Sequence, residues 1–459
     1  MIKDDFKKRM KIILGDEFDS FMNSYDNPEF HALRINHLKV KDNIIDKYFD
    51  GHLSPVPFCH TGYYYDNHIR PGKHPYHEAG AYYIQEPSAM LPGTLIDAKP
   101  GETILDLCAA PGGKSTQIAA MMNQKGLLIS NEIMPARAKI LSENIERMGI
   151  RNAIVTNESS DKLASFFPEF FHRIMVDAPC SGEGMFRKNE QAQDEWSLNN
   201  VKLCADRQAE ILDNAAIMLK PGGRIVYSTC TFSPEENEIS IINFLKRHSD
   251  FHIEKIDRKS EIFDGISSGI KNFGEIDTSS ISDNCFRIFP HKFNGEGHFA
   301  CVLTKDGNID VENDYRELKG LKEKSLKEYN EFAIKFFKNP PTGKYIMFGD
   351  NINLVPETCP KLDKIRVLRA GLNLGTVTKG RFIPSHSLAL SLSPDDVKNV
   401  INLSINDENV YKYINGETFE YDTSDGWCLI CIDNLSIGLG KVTKGIVKNH
   451  YPKGLRKRL

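Results

Sequence analysis

Between Thr103 and Thr231 short apolar runs alternate with amphipathic stretches, and this alternation restricts the chain to few architectures. The runs are ILDLC (104–108), GLLISNE (126–132), AIVTNE (153–158), RIMVDAPC (173–180) and RIVYSTCT (224–231); helices are predicted over Ser115–Asn123, Pro135–Met148 and near Val201–Leu219. Strands this apolar have no face suited to water and need cover on both sides. That predicts an α/β fold with a doubly wound, Rossmann-like parallel sheet.

The flanks read differently. Residues 1–80 form an N-terminal α/β extension in which ALRINHLKV (32–40) reads as a short strand. The core is expected over 81–305, ending in the strand-like HFACVLTK (298–305). A Lys- and Glu-rich run from Val311 to Lys338 predicts a helical linker over 306–341, stopped by Pro340 and Pro341. Residues 342–459, short strands broken by Gly and Pro, predict a small β-rich domain. With 58 Lys+Arg against 62 Asp+Glu the net charge is −4, so a nucleic-acid partner must be met by local basic patches. Ten dispersed cysteines suit reduced thiols and a cytoplasmic location, and no apolar run is long enough to span a membrane.

The first core strand runs into AAPGGKS, where Gly112 and Gly113 permit a tight turn into a helix. A phosphate loop needs glycine five positions before Gly113, and Cys108 stands there, which argues against nucleotide hydrolysis. Glu132 ends the next strand, about twenty residues on, where a doubly wound site sets an acid against ribose hydroxyls. An adenosyl ligand is implied; the competing reading has Glu132 capping the following helix.

Two thiols, Cys180 and Cys230, end the last two strands, and Asp177 lies three residues before the first. Thiols and a carboxyl beside an adenosyl cofactor suit methylation of a pyrimidine carbon. Carbon 5 of cytosine is a weak nucleophile until a thiolate adds to carbon 6, and Asp177 at ring nitrogen 3 would favour that addition. Cys108 and Cys204 read as packing, Cys428 and Cys431 as strand core, and His60, His68, His74 and His77 as loop residues with no metal site expected.

LDLCAAPGGKS, Asn131-Glu132, DAPCSGEGMFRK and YSTCTFSPEENE, with ALRIN and YIQEPSAM, closely resemble the Nop/Sun family of S-adenosylmethionine-dependent RNA cytosine-5 methyltransferases, in particular its bacterial branch acting on 16S rRNA. The resemblance implies Cys230 as nucleophile, Cys180 as the residue assisting release, and Asp177 between cofactor and base. It implies a cofactor site of Cys108, Ala109, Ala110, Pro111, Gly112, Gly113, Lys114, Glu132, Arg137 and Asp177, with Glu158 standing in for an adenine-side acid. Arg34 and Asn36 resemble an RNA-facing segment, and Arg187 and Lys188 follow the Pro-Cys motif. The C-terminal portion resembles a PUA-type RNA-binding module, with Lys441, Lys444 and Lys453 among seven Lys and Arg in the last nineteen residues. The same chemistry on tRNA and a non-catalytic ribosome assembly factor remain open alternatives.

Overall fold

The computed structural model describes residues 2–41, 48–49, 51–258, 260–309 and 318–456. Among the described residues nine strands organise the first half: β1 (Ala32–Ile35), β2 (Ser54–Val56), β3 (Cys59–Tyr64), β4 (Tyr82–Ile84), β5 (Thr103–Asp106), β6 (Leu127–Asn131), β7 (Ala153–Thr156), β8 (Phe171–Asp177) and β9 (Leu219–Thr229). β5 to β9 are parallel in the order β7-β6-β5-β8-β9. The chain leaves β5 first toward β6 and later returns on its other side at β8, which opens a crevice at the carboxyl ends. His298–Lys305 adds antiparallel to β9, and Cys285–Ile288 lies beyond it.

Period-two alternation sends neighbouring side chains into two cores. Leu105 and Ile129 pack with Ile211, Leu212 and Phe244 on one face, while Ile104 and Leu128 pack with Ile118, Leu141 and Ile145 on the other. The covering helices are Leu198–Met218 and Glu238–Arg247 on the first face, and Gly113–Met122 and Pro135–Arg147 on the second. The doubly wound expectation holds, with helix ends within a few residues of those predicted.

β1 to β4 form an antiparallel sheet in the order β2-β3-β1-β4. The strand expected over 32–40 stops at Ile35, because Asn36 takes over the chain: its Oδ1 accepts the Leu38 amide at 3.2 Å and its carbonyl accepts those of Lys39 and Val40. Ahead of this sheet, Phe6 and Phe21 pack edge-on against Trp196 and Phe232, and Arg9 pairs with Glu235 at 2.5 Å. The extension therefore buttresses the loops that follow β8 and β9.

Beyond residue 305 the reading needs refinement. Part of the expected linker, 310–317, lies outside the described residues. The helix Lys327–Phe336 is packed in a core, since Tyr329, Phe332 and Phe336 form a stripe buried with Leu374 and Phe382. The described residues from 342 to 456 build two sheets, a four-stranded one within 344–384 and a five-stranded one within 400–449. Inside the first of these spans, Val367–Ala370 leaves the four-stranded sheet, pairs antiparallel with β7 and extends the central sheet. The five-stranded sheet shares a core with the N-terminal extension, where Leu33, Tyr76 and Tyr82 meet Ile430 and Tyr413. Cys428 and Cys431 are buried in different cores, on opposite faces of their strand, so their spacing makes no thiol pair. Among the described residues no helix is long and apolar enough to cross a membrane.

Candidate active site

The chemistry gathers where β5, β8 and β9 end. Asp177 lies opposite Ser228 in the β8–β9 ladder, so the loop leaving β8 and the loop leaving β9 rise side by side. Gly184 lets them touch: its amide donates to the Cys230 carbonyl at 2.8 Å, and a Cβ there would stand 2.8 Å from the Gly297 carbonyl oxygen. As a result Cys180 Sγ lies 3.2 Å from Cys230 Sγ, both thiols half-buried. The contact with Cys230, and then burial, push the Cys180 thiol up, so it keeps its proton at neutral pH.

Two buried carboxyls hold these loops from below. Glu183 accepts Trp196 Nε1 at 2.8 Å, the Ser233 hydroxyl at 2.7 Å, and the Thr231 hydroxyl and Phe232 amide at 2.8 Å. Glu236 meets the Ser181 hydroxyl and accepts the Ser181 amide at 3.0 Å and Gln208 Nε2 at 2.8 Å. Burial pushes Glu236 up to about 7.

Asp177 stands between the thiol loops and the glycine turn. Its Oδ2 is 2.8 Å from Lys114 Nζ, and its Oδ1 accepts the Ser228 hydroxyl at 2.8 Å. Burial acts to raise this carboxyl, yet the Lys114 ammonium overrules it and holds it well below the usual carboxylate range. Held low in this way, the carboxyl is ionised and accepts hydrogen bonds.

On the cofactor side, Gly112 has φ +116°, a backbone open to glycine, and turns the chain from Cys108, Ala109, Ala110 and Pro111 into the helix that begins at Gly113. Arg137 Nη2 donates to the Ala110 carbonyl at 2.6 Å, while Nη1 lies 3.5 Å from Glu132 Oε2. Glu132 is buried, and its Oε1 accepts the Met134 amide at 2.9 Å. The capping alternative thus accounts for one oxygen and leaves the other on the Arg137 side. Asp106 Oδ2 takes the Ser115 hydroxyl at 2.6 Å, whereas its buried Oδ1 has no partner, and burial pushes the carboxyl up to about 7. A glycine turn, an orphaned buried oxygen and a second acid one strand over fit a ligand carrying ribose hydroxyls and an ammonium group.

Several sequence-predicted residues are committed elsewhere. Glu158 Oε1 takes Lys162 Nζ and the Arg366 amide, each at 2.7 Å, so it anchors the added edge strand and is no free adenine-side acid. Arg34 is buried and donates to Gln85 Oε1 at 3.1 Å, the Gly113 carbonyl at 3.0 Å and the Thr116 hydroxyl at 2.6 Å. Asn36, also buried, donates to the Gly80 and Met148 carbonyls at 2.8 and 3.0 Å. Arg187 is bound to Glu296 at 2.7 Å and to the Ser24 carbonyl at 2.9 Å, with Lys188 3.8 Å from the same carboxylate. Arg34 and Asn36 are thus buried in the join between the N-terminal extension and the core and face no RNA, whereas Arg187 and Lys188, half-buried, tie the Pro-Cys loop to Glu296. Lys441, Lys444 and Lys453 are exposed, with Lys441 Nζ 5.6 Å above the Trp427 ring, while Lys457 and Arg458 of the basic tail lie outside the described residues.

Sequence reasoning missed Ser228, Glu183, Glu236, Gln208 and His298. Ser228 and Glu236 sit inside YSTCTFSPEENE and Glu183 inside DAPCSGEGMFRK, so adjacency to the thiols was the available signal. Among the described residues no group of three or more His, Cys, Asp or Glu side chains is arranged to hold a metal.

Comparison with known proteins places this geometry among relatives. A family profile described as 16S rRNA methyltransferase RsmB/F matches residues 93–304; profiles for the N-terminal, first C-terminal and PUA domains of RsmF match 2–87, 331–392 and 400–457. The ribosomal RNA small subunit methyltransferase F of Vibrio vulnificus (strain YJ016) is 31% identical over 99% of this chain and 97% of its own length. The protein of that name from Shewanella oneidensis is 29% identical over 96% and 93%. Among solved structures, a methyltransferase homolog protein from Pyrococcus horikoshii is 28% identical, with a TM-score of 0.59 over 66% of this chain and 95% of its own. NSun6 from the same organism, at 20% identity, shares the fold with a TM-score of 0.56 over 67% and 99%.

Proposed function

The chain belongs to the 16S rRNA methyltransferase RsmB/F family, and from that premise we propose that it methylates carbon 5 of a cytosine in small-subunit ribosomal RNA. The cofactor is S-adenosylmethionine, which supplies an electrophilic methyl group on a sulfonium. Cys108 to Lys114 and Arg137 form its cradle in this reading, Glu132 accepts the ribose hydroxyls, and the orphaned oxygen of Asp106 is left for its ammonium group.

The observation that carries the reading is the 3.2 Å contact between the two thiols at the strand tips that also hold Asp177. Cys230 attacks carbon 6 of the cytosine as the thiolate, forming a carbon–sulfur bond and making carbon 5 an enamine carbon able to take a methyl group. Asp177, ionised, accepts from the exocyclic amine of the base, a contact that uracil, with oxygen there, does not offer. Once carbon 5 carries both methyl and hydrogen, its proton leaves, the 5,6 double bond re-forms and the Cys230 sulfur departs. Cys180 holds a proton and lies against that sulfur, so it suits handing its hydrogen to Cys230 while accepting the one from carbon 5. The half-buried thiols call for an unpaired or flipped base.

Lys441, Lys444 and Lys453 are assigned to phosphate contacts of the RNA, beside the ring of Trp427. Ten free thiols are in keeping with action in the cytoplasm. The test is transfer of labelled methyl to small-subunit RNA and to tRNA by wild type and Cys230→Ser. The reading expects cytosine-5 methylation of the ribosomal RNA by wild type, and none by the variant despite intact S-adenosylmethionine binding. Turnover by Cys230→Ser contradicts the nucleophile, and preference for tRNA contradicts the substrate.

A further inference from the structure

Resting on the cytosine-methylation reading, we propose that His298 is a positioning residue for Asp177, closing onto its carboxylate when the base is bound. His298 opens the strand His298–Lys305 and is 4% exposed. Its Nε2 lies 3.6 Å from Asp177 Oδ1 and has no hydrogen-bond partner. A buried ring nitrogen left unpaired is costly, so its retention here needs a reason.

The surrounding backbone fixes where the ring goes. Phe299 is paired with Thr229, so one further step in that register sets His298 opposite Cys230, while Asp177 is paired with Ser228 on the other side of β9. Directly opposed residues share a face of the sheet, which brings the imidazole, the carboxylate and the nucleophilic thiol to one side. Gly297, with φ +121°, leads the chain into that strand where any Cβ would strike the Phe232 ring.

The charged groups acting on the imidazole are Lys114, from the helix after the glycine turn, Asp177, from β8, and Glu86, from the loop after β4. Burial, aided by Lys114, pushes His298 below its ordinary value, so the ring is neutral and can present an N–H without adding a second cation. Asp177 Oδ1 already takes Ser228 and Oδ2 takes Lys114. When the cytosine amine draws on the carboxylate, a movement of a few tenths of an ångström brings Nε2 into hydrogen-bond range, as catalytic contacts tighten on substrate binding. Oδ1 then stays anchored by two donors, and Oδ2, still held by Lys114, presents its remaining lone pair to the base.

The test compares wild type, His298→Ala and His298→Gln for kcat and KM on an RNA that wild type methylates, S-adenosylmethionine affinity, and thermal midpoint. His298→Ala is expected to lower kcat about tenfold or more, the rate equivalent of one charged hydrogen bond, with KM and cofactor affinity within about twofold. His298→Gln, which keeps an N–H donor, should restore most of the rate. Unchanged kcat in His298→Ala overturns the proposal, as does a loss that tracks the thermal midpoint and cofactor affinity in both variants, since that is a packing role. Wild type that methylates no cytosine overturns the parent reading as well, whereas an active wild type beside an equally active His298→Ala overturns only this one.

Discussion

Arg34 and Gly113 are joined by a 3.0 Å hydrogen bond from the guanidinium Nη2 to the glycine carbonyl, and through it the N-terminal sheet grips the turn assigned to the cofactor. Arg34→Ala removes this bond and those to Gln85 and Thr116. The loss should cost roughly 3 kcal/mol of stability and weaken S-adenosylmethionine binding about tenfold, read by denaturant titration and calorimetry. RNA affinity should change less than cofactor affinity; the opposite order would return Arg34 to the RNA-facing role read from the sequence.

Lys114 keeps Asp177 charged against its burial. A carboxyl held low in the folded state adds stability that is present above its unfolded value and lost as pH falls through the folded one. Lys114→Met takes away the opposing charge, so burial then raises Asp177 and protonates more of it near neutral pH. With saturating cofactor, kcat of the variant should fall at pH 7 and recover in part as pH rises and Asp177 ionises again. A pH profile parallel to that of wild type would contradict the charge coupling.

Glu236 behaves in the opposite sense, since burial pushes it up to about 7. Between its unfolded value, about 4.3, and 7 the folded state holds the proton more tightly, so its contribution to stability falls as pH rises through that window. Glu236→Gln copies the protonated form: its amide can donate to the Ser181 hydroxyl, which turns toward Thr231 at 2.9 Å, and its oxygen can accept from Gln208. Chemical denaturation at pH 5 and pH 8 should give a smaller pH dependence for the variant than for wild type; an equal dependence would place the titration elsewhere.

Much of this was legible in the sequence, and the gaps have physical causes. Periodicity carried the sheet because Leu105 and Ile104 must alternate between two cores, and the strand tips carried Asp177, Cys180, Cys230 and Glu132 because ligands of such a sheet meet its carboxyl edge. Arg34 and Asn36 were misread because a polar side chain in an exposed loop and one satisfied by buried carbonyls look alike in one dimension. Glu158 was misread because its partner, the Arg366 amide, lies 208 residues away. Val367–Ala370 falls in a stretch that reads as short strands, but its place beside β7 was invisible, as tertiary pairing sets it and no local signal does. His298 reads in sequence as one polar residue at the start of a strand, and only the register with β9 brings it to the thiols.

The central claim, a covalent bond between Cys230 and cytosine that Cys180 helps to break, is tested most directly by expressing Cys180→Ala in cells and isolating protein under denaturing conditions. The account predicts a denaturant-resistant adduct between the variant and small-subunit ribosomal RNA, abolished by adding Cys230→Ser, with the attached nucleotide marking the target cytosine. A folded Cys180→Ala protein that binds S-adenosylmethionine, methylates its RNA at the wild-type rate and accumulates no adduct would contradict it.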